Sequence, residues 1–325
     1  MTAATAGLPS QRTDDDSSLF PLILQWDGAT DALAPACDWI MSQRAALDEQ
    51  VTAHGTILFR DFPLTSAEDF DCFIAAFGYP VFTYEASLSN AVRTNRTSRV
   101  FTANEAPSSV TIQLHHEMAQ TPIYPSRLFF FCENPAETGG ETPLCRSDIL
   151  FARIRSQLPK FATDCEQKGL LYSHVMPGQD DSASGMGRSW QSTWNACTTE
   201  EAEHRMSELG YSWGWLDDGC LRVTTPRLPA VRSLDDGRTS FFNQLIAAFH
   251  GWKDERNDPS KSITFGDGSP LDVGVMNEVI GMAEDLTFDI PWQSGDVALV
   301  DNYVTMHGRR RFTGKRSVLA SLVAS

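Results

Sequence analysis

At 325 residues, 42% hydrophobic and 21% charged, the chain is long enough to bury a full core and has an ordinary globular composition. Its formal charge of −16 is spread along the sequence, which argues against nucleic acid and against anionic membrane, since both call for Lys and Arg. No apolar run approaches a membrane span, Met1 to Ser18 lacks a signal core, and seven widely spaced cysteines without a C-x-x-C pair point to free thiols in a reducing cytoplasm.

Residues 1–18 are small and polar, with Asp14-Asp15-Asp16 and Ser17-Ser18, and read as a disordered lead before a single domain over 19–325. A helix is expected over about 34–54, stopped by Gly55, and then a strand from Thr56 to Arg60. In the next helix Thr65 and Glu68 suit a capping box, Phe70, Phe73, Ile74 and Phe77 share one face, and Gly78 ends it. Short strand-like runs follow, among them Val110–Leu114 and Leu128–Cys132, the latter apolar on both faces and so expected to be buried on both. Asn134-Pro135 and Gly139-Gly140 mark turns. Residues 150–290 are mixed, with helices expected over 198–210 (Thr198 and Glu201 forming a capping box), 240–252 and 272–286, and a mobile Gly- and Ser-rich loop over 178–189. Strands return over 295–302 and 317–323. This order suits one barrel interrupted by a long insertion.

The pattern that carries chemistry is His115-His116-Glu117 with His307 and Arg316 far downstream. In a strand covering 111–117, side chains at i and i+2 leave one face, so His115 and Glu117 converge while His116 points away. Two imidazoles and one carboxylate on one side of a metal form the facial triad of non-haem Fe(II) oxygenases. H-x-E recurs by chance, so it gains meaning only from what accompanies it. An H-E-x-x-H zinc helix is excluded because Gln120 stands where the second histidine belongs. His307, in Met306-His307-Gly308 after an alternating strand, is either a third ligand or a histidine in a basic surface turn. Arg316 is either a gatekeeper charge beside an apolar strand or the anchor of a carboxylate, with the Thr142 hydroxyl as its helper. Gln113 shares the parity of His115 and Glu117, which suits contact with cofactor or substrate as well as an ordinary hydrogen-bond network.

Several separated segments, in order, resemble the TauD/TfdA superfamily of Fe(II)/2-oxoglutarate-dependent dioxygenases, and within it the clavaminate synthase-like and SyrP-like branch. They are His115-x-Glu117, Pro125 to Phe131, Asn134 to Pro143, Gly295 to Asn302 and His307 to Arg316, and the likeness runs over about residues 20–322. The resemblance implies a mainly β fold with flanking helices, a double-stranded β-helix (jelly roll) whose open end the 150–290 insertion covers. It implies His115, Glu117 and His307 as ligands of Fe(II), and Thr142 with Arg316 as the pair holding the distal carboxylate of 2-oxoglutarate. It implies O2 as the other co-substrate, and C–H oxidation by hydroxylation, desaturation or cyclisation. The substrate class it suggests is a small polar molecule, an amino acid or derivative, free or carrier-bound, in specialised metabolism. Glu117 argues against halogenation, which needs a small residue there. Ala320 stands where taurine-type members carry a second arginine, so sulfonate recognition does not follow. One of Arg309, Arg310 and Arg311 is a candidate partner for a substrate carboxylate, and the 178–189 loop is a candidate lid. Two rival readings are a catalytically silent jelly roll binding a metabolite or partner, and a metal-dependent hydrolase or isomerase on a cupin-like barrel, which would work without oxygen.

Overall fold

A computed structural model describes residues 2–8, 11–13, 19–28, 32–84, 87–103 and 106–324. Two sheets make the barrel. The larger runs in the order Ala3–Ala6, Leu22–Trp26, Thr56–Arg60, Val297–Asp301, Arg127–Asn134, Ser317–Val323 and Val81–Phe82, with Phe101–Thr102 also paired to Ser317–Val323. The smaller runs Phe288–Ile290, Thr142–Arg146, Thr305–Arg309 and Ile112–His115, antiparallel throughout.

Strand alternation explains the layering. In the larger sheet Ile57, Phe59, Phe129, Phe131, Val297, Leu299 and Leu319 face the helices Leu33–His54 and Ala67–Phe77. The interleaved Leu58, Leu128, Phe130, Ala298, Val300 and Ala320 face Leu144, Phe288 and Ile290 of the smaller sheet. The Arg127–Asn134 strand is therefore buried on both sides, as its apolar run predicts, and Val297–Asp301 is buried on both faces as well. On its far side the smaller sheet packs Cys145 and Met306 against insertion helices through Leu150, Phe151, Leu245 and Met276. The architecture is the expected jelly roll with helices outside.

Several expectations are corrected. The first helix after residue 60 is capped by Ser66 and Asp69, whose side chains each accept from the other's backbone N–H, one position beyond the expected Thr65 and Glu68. Thr65 joins the same cap by donating to Asp69 from its N–H and hydroxyl. Thr198 caps its helix, but Glu201 accepts from the N–H of Cys197 rather than from Thr198. Residues 3–6 are not a free lead: they pair antiparallel with Leu22–Trp26, and Arg12–Thr13 pairs with Leu19–Phe20. Residues 14–18, with the Asp14-Asp15-Asp16 run, lie outside the described residues. The barrel also resumes before residue 290, because Phe288–Ile290 pairs with Thr142–Arg146. Among the described residues, no helix is long and apolar enough to cross a membrane.

Inside the insertion, Leu170–Met176 is a central strand between Ile263–Phe265 and Leu221–Thr224, with Ser212–Trp215 at the edge. Its His174 is buried against Trp252, and neither ring nitrogen has a hydrogen-bond partner among the described residues. Burial, against a weaker opposing pull from Asp254, lowers its pKa from 6.5 to about 4. The neutral ring is the form that fits, so the unfolded chain binds a proton first. Stability is therefore full above pH 6.5 and declines as pH falls through 6.5 toward 4. His174→Phe keeps a ring against Trp252 and removes the titration. It should lessen the loss of unfolding free energy between pH 7 and pH 4 by about 2–3 kcal/mol in urea titrations. Equal losses in the two proteins would show that His174 is not involved.

Candidate active site

The backbone sets His115 opposite His307. Ile112–His115 pairs antiparallel with Thr305–Arg309, with His307 across from His115, and the register then slips so that Arg309 meets Ile112. This bulge needs Gly308, since a Cβ there would lie 2.4 Å from the Ile112 carbonyl oxygen. His307 is thus within a strand, not in a surface turn, and is buried. The two imidazole centroids are 4.4 Å apart.

The strand ends at His115, short of the expected 117, and Glu117 opens a turn. It still converges because Asn302 clamps its backbone. The Asn302 side chain accepts from the Glu117 N–H (2.8 Å) and donates to the Glu117 carbonyl (3.0 Å) and to that of Pro125 (2.8 Å). His116 faces away, its Nδ1 donating to the Asn302 carbonyl and its ring against Phe242. Glu117 Oε2 then lies 3.4 Å from His307 Nε2 and 4.0 Å from His115 Nε2. The ligand atoms of the three residues all fall within 4.8 Å of one another, the grouping that a single metal ion requires.

Protonation states suit that use. His115 Nδ1 is 2.7 Å from the Gln113 carbonyl oxygen, so Nδ1 carries the hydrogen and Nε2 presents its lone pair. Burial, with His307 beside it, lowers the His115 pKa to about 4 and keeps the ring neutral. Burial alone would raise the Glu117 carboxyl, but Arg93, His307 and His115 outweigh it and hold it well below the usual range.

Toward the other end of the cavity, Thr142 Oγ1 accepts from Trp292 Nε1 (3.0 Å) and lies 3.5 Å from Arg316 Nη2, so its own hydrogen is left to donate elsewhere. Arg316 Nε donates to the Gly140 carbonyl at 2.8 Å. Gly140 has φ +76°, and a Cβ there would come within 2.9 Å of the Arg316 side chain, so the Gly139-Gly140 turn is shaped around the guanidinium. Among the described residues no carboxylate forms an ion pair with Arg316. Burial, with Arg309 nearby, pushes its pKa down to about 10.

All six expected site residues, Gln113, His115, Glu117, Thr142, His307 and Arg316, line one cavity. The Gln113 carbonyl fixes His115, while its side chain flanks Gly251. Of the three arginines after His307, Arg309 lines the cavity and donates to the carbonyls of Ala106, Pro107 and Val110, whereas Arg310 pairs with Glu284 and Asp289. The insertion walls the cavity with Met186, Gln244, Ala247 and Trp252. Sequence reasoning missed Arg93, Asn302 and Trp292. Of these only Asn302 left a trace, a polar residue closing an apolar strand.

The 178–189 loop is irregular, as its composition predicts, and Gly185 and Met186 reach the cavity. Its Arg188 is only 2% exposed and donates to the carbonyls of Ser87, Ser89, Tyr84 and Ser192. Arg188→Met would orphan several of these buried acceptors, so we expect a loss of about 3 kcal/mol in urea unfolding and faster proteolysis within 178–189. Unchanged values would make the guanidinium dispensable.

The comparisons with known proteins agree with this geometry. The family model described as taurine catabolism dioxygenase TauD, TfdA family matches residues 27–322. A clavaminate synthase-like protein of Arabidopsis thaliana is 41% identical over 285 residues, covering 87% of this chain and 86% of its own. The dapdiamide synthesis protein DdaC of Enterobacter agglomerans is 25% identical over 289 residues, covering 85% and 84%. Among solved structures, AAD-2 in complex with Mn(II) and N-oxalylglycine aligns with a TM-score of 0.53 at 15% identity over 100% of this chain and 98% of its own, which speaks to the fold alone. PvcB of Pseudomonas aeruginosa does so with a TM-score of 0.54 at 13% identity over 100% and 94%. The chain belongs to the TauD/TfdA family and is an Fe(II)/2-oxoglutarate-dependent dioxygenase.

Proposed function

We propose that His115, Glu117 and His307 hold Fe(II), that Thr142 and Arg316 hold the distal carboxylate of 2-oxoglutarate, and that the enzyme oxidises a C–H bond of a small polar amino acid or derivative. The observation that carries the reading is the pairing of two features in one cavity. A largely buried two-imidazole, one-carboxylate cluster shares it with a half-buried guanidinium that lacks an acidic partner among the described residues. Bound there, iron and 2-oxoglutarate supply the oxidant: O2 is consumed, 2-oxoglutarate leaves as succinate and carbon dioxide, and one oxygen atom is delivered to the substrate or a hydrogen pair is removed from it.

The chain's own residues bind and exclude. Arg316 meets the carboxylate as a charge-assisted donor, and the Thr142 hydroxyl adds the hydrogen that Trp292 and Arg316 leave free. Phe130, Ala103 and Val318 give that end of the cavity apolar walls, which keeps water from a reactive centre. On the substrate side, Asn90, Gln113, Gln120 and Gln244 offer neutral amides beside Met186 and Trp252. Gln120 is 3% exposed and its Oε1 has no partner among the described residues, so it is placed to meet a polar substrate group. Neutral amides suit an amino acid or derivative, free or carrier-bound, and the biosynthetic name of the DdaC relative supports a role in specialised metabolism.

Anaerobic addition of Fe(II) and 2-oxoglutarate should give a visible metal-to-ligand charge-transfer band. A folded protein without one would sink the ligand assignment. A panel of free amino acids and carrier-bound aminoacyl groups, scored by succinate release, then tests the substrate class. In the same assay Arg316→Ala should raise the apparent KM for 2-oxoglutarate by about a hundredfold, from the loss of a charged hydrogen-bond pair, with little change in that for substrate. The opposite pattern would move Arg316 to the substrate side.

A further inference from the structure

We infer that Arg93 is a positioning residue that restricts Glu117 to binding metal through one oxygen, an inference that rests on the proposed ligand set. A carboxylate beside a divalent ion has two equally basic oxygens, and nothing in its chemistry prevents it from chelating with both. For a site with three protein ligands this matters. An octahedral ion then keeps about three open positions if the carboxylate uses one oxygen, and about two if it uses both. A chelating 2-oxo acid fills two of these positions, so a two-oxygen Glu117 would leave none for O2.

The structure splits the two oxygens. Glu117 Oε1 is 2.8 Å from Arg93 Nη2, while Oε2 alone is turned toward the His307 and His115 Nε2 atoms, at 3.4 Å and 4.0 Å. Both partners are buried, with side chains 7% and 6% exposed, so the charge-assisted bond sits where water does not compete for it. Arg93 is itself held. Its guanidinium lies 5.2 Å from the Phe101 ring centroid, and the segment before it is gripped by Arg188 through Ser87, Ser89 and the N–H of Arg188 on Asn90. Arg93 also spends its charge on the carboxylate. The pair therefore leaves the full charge of a divalent ion to attract an anionic co-substrate.

The test uses Mn(II) alone, with no 2-oxoglutarate and no substrate, and reads the number of metal-bound waters from water-proton relaxivity together with affinity by calorimetry. In the wild-type protein about three waters are expected. Arg93→Met should release Oε1, so that relaxivity per bound Mn(II) falls by about a third while affinity is kept or increased. Arg93→Gln, too short to reach Oε1, should do the same and carries the test if the Met variant does not fold. Arg93→Lys should restore the wild-type value. Unchanged relaxivity in folded Met or Gln variants would overturn the role of Arg93 and leave the ligand set standing. Failure of the wild-type protein to bind Mn(II) would instead overturn the ligand set, and this inference with it.

Discussion

One backbone register underlies the site: His307 faces His115 across two antiparallel strands that are nearly two hundred residues apart in the chain. Directly opposite residues in an antiparallel pair are the nearest neighbours a sheet can make, so the two imidazoles meet without any loop having to find the other. A slip of one strand by one residue would send its ring to the far face, where Cys145 and Met306 pack against helices, and part the pair. The Gly308 bulge fixes the register on one side. On the other, Asn302 turns the chain so that Glu117 arrives beside the pair.

The same cavity is unbalanced in charge. Arg93, Arg309 and Arg316 line it, and Glu117 is the one acidic residue among its described lining. Since Arg93 already answers Glu117, the rest of the cavity is a place for anions and neutral polar groups. In a chain of formal charge −16 this is local and deliberate in effect: an anion meets a repelling exterior and an attracting interior.

Much of this was readable from residues alone. Apolar runs marked the doubly buried Arg127–Asn134 strand, glycines marked the ends of helices at Gly55 and Gly78, and strand parity chose His115 over His116. The failures have physical reasons. Thr65/Glu68 and Ser66/Asp69 satisfy the same capping rule one residue apart, and only the three-dimensional entry of the chain decides between them. Ala3–Ala6 looked disordered because its composition is poor in core formers, yet an edge strand needs only backbone partners, which Leu22–Trp26 supplies. Glu117 lies past the strand end, so parity alone could not account for its convergence; the Asn302 amide does. Arg93 was invisible, since it belongs to an irregular segment with Arg96 and Arg99 and no period distinguishes it from them.

Arg188 joins two parts of the chain that the sequence separates by about a hundred residues: the Gly178–Ser189 loop and the segment carrying Ser89, Asn90 and Arg93. Both contribute to the cavity wall, so the entrance is a single jointed rim rather than two independent loops. His115 and His307, the proposed ligands, stand apart from it on paired strands. Substitutions at Asn90 or Met186 are therefore changes of lining. A change that loosens the Arg188 joint would instead reach Glu117 through Arg93, so the limit on how far the rim can drift is set by the proposed metal centre.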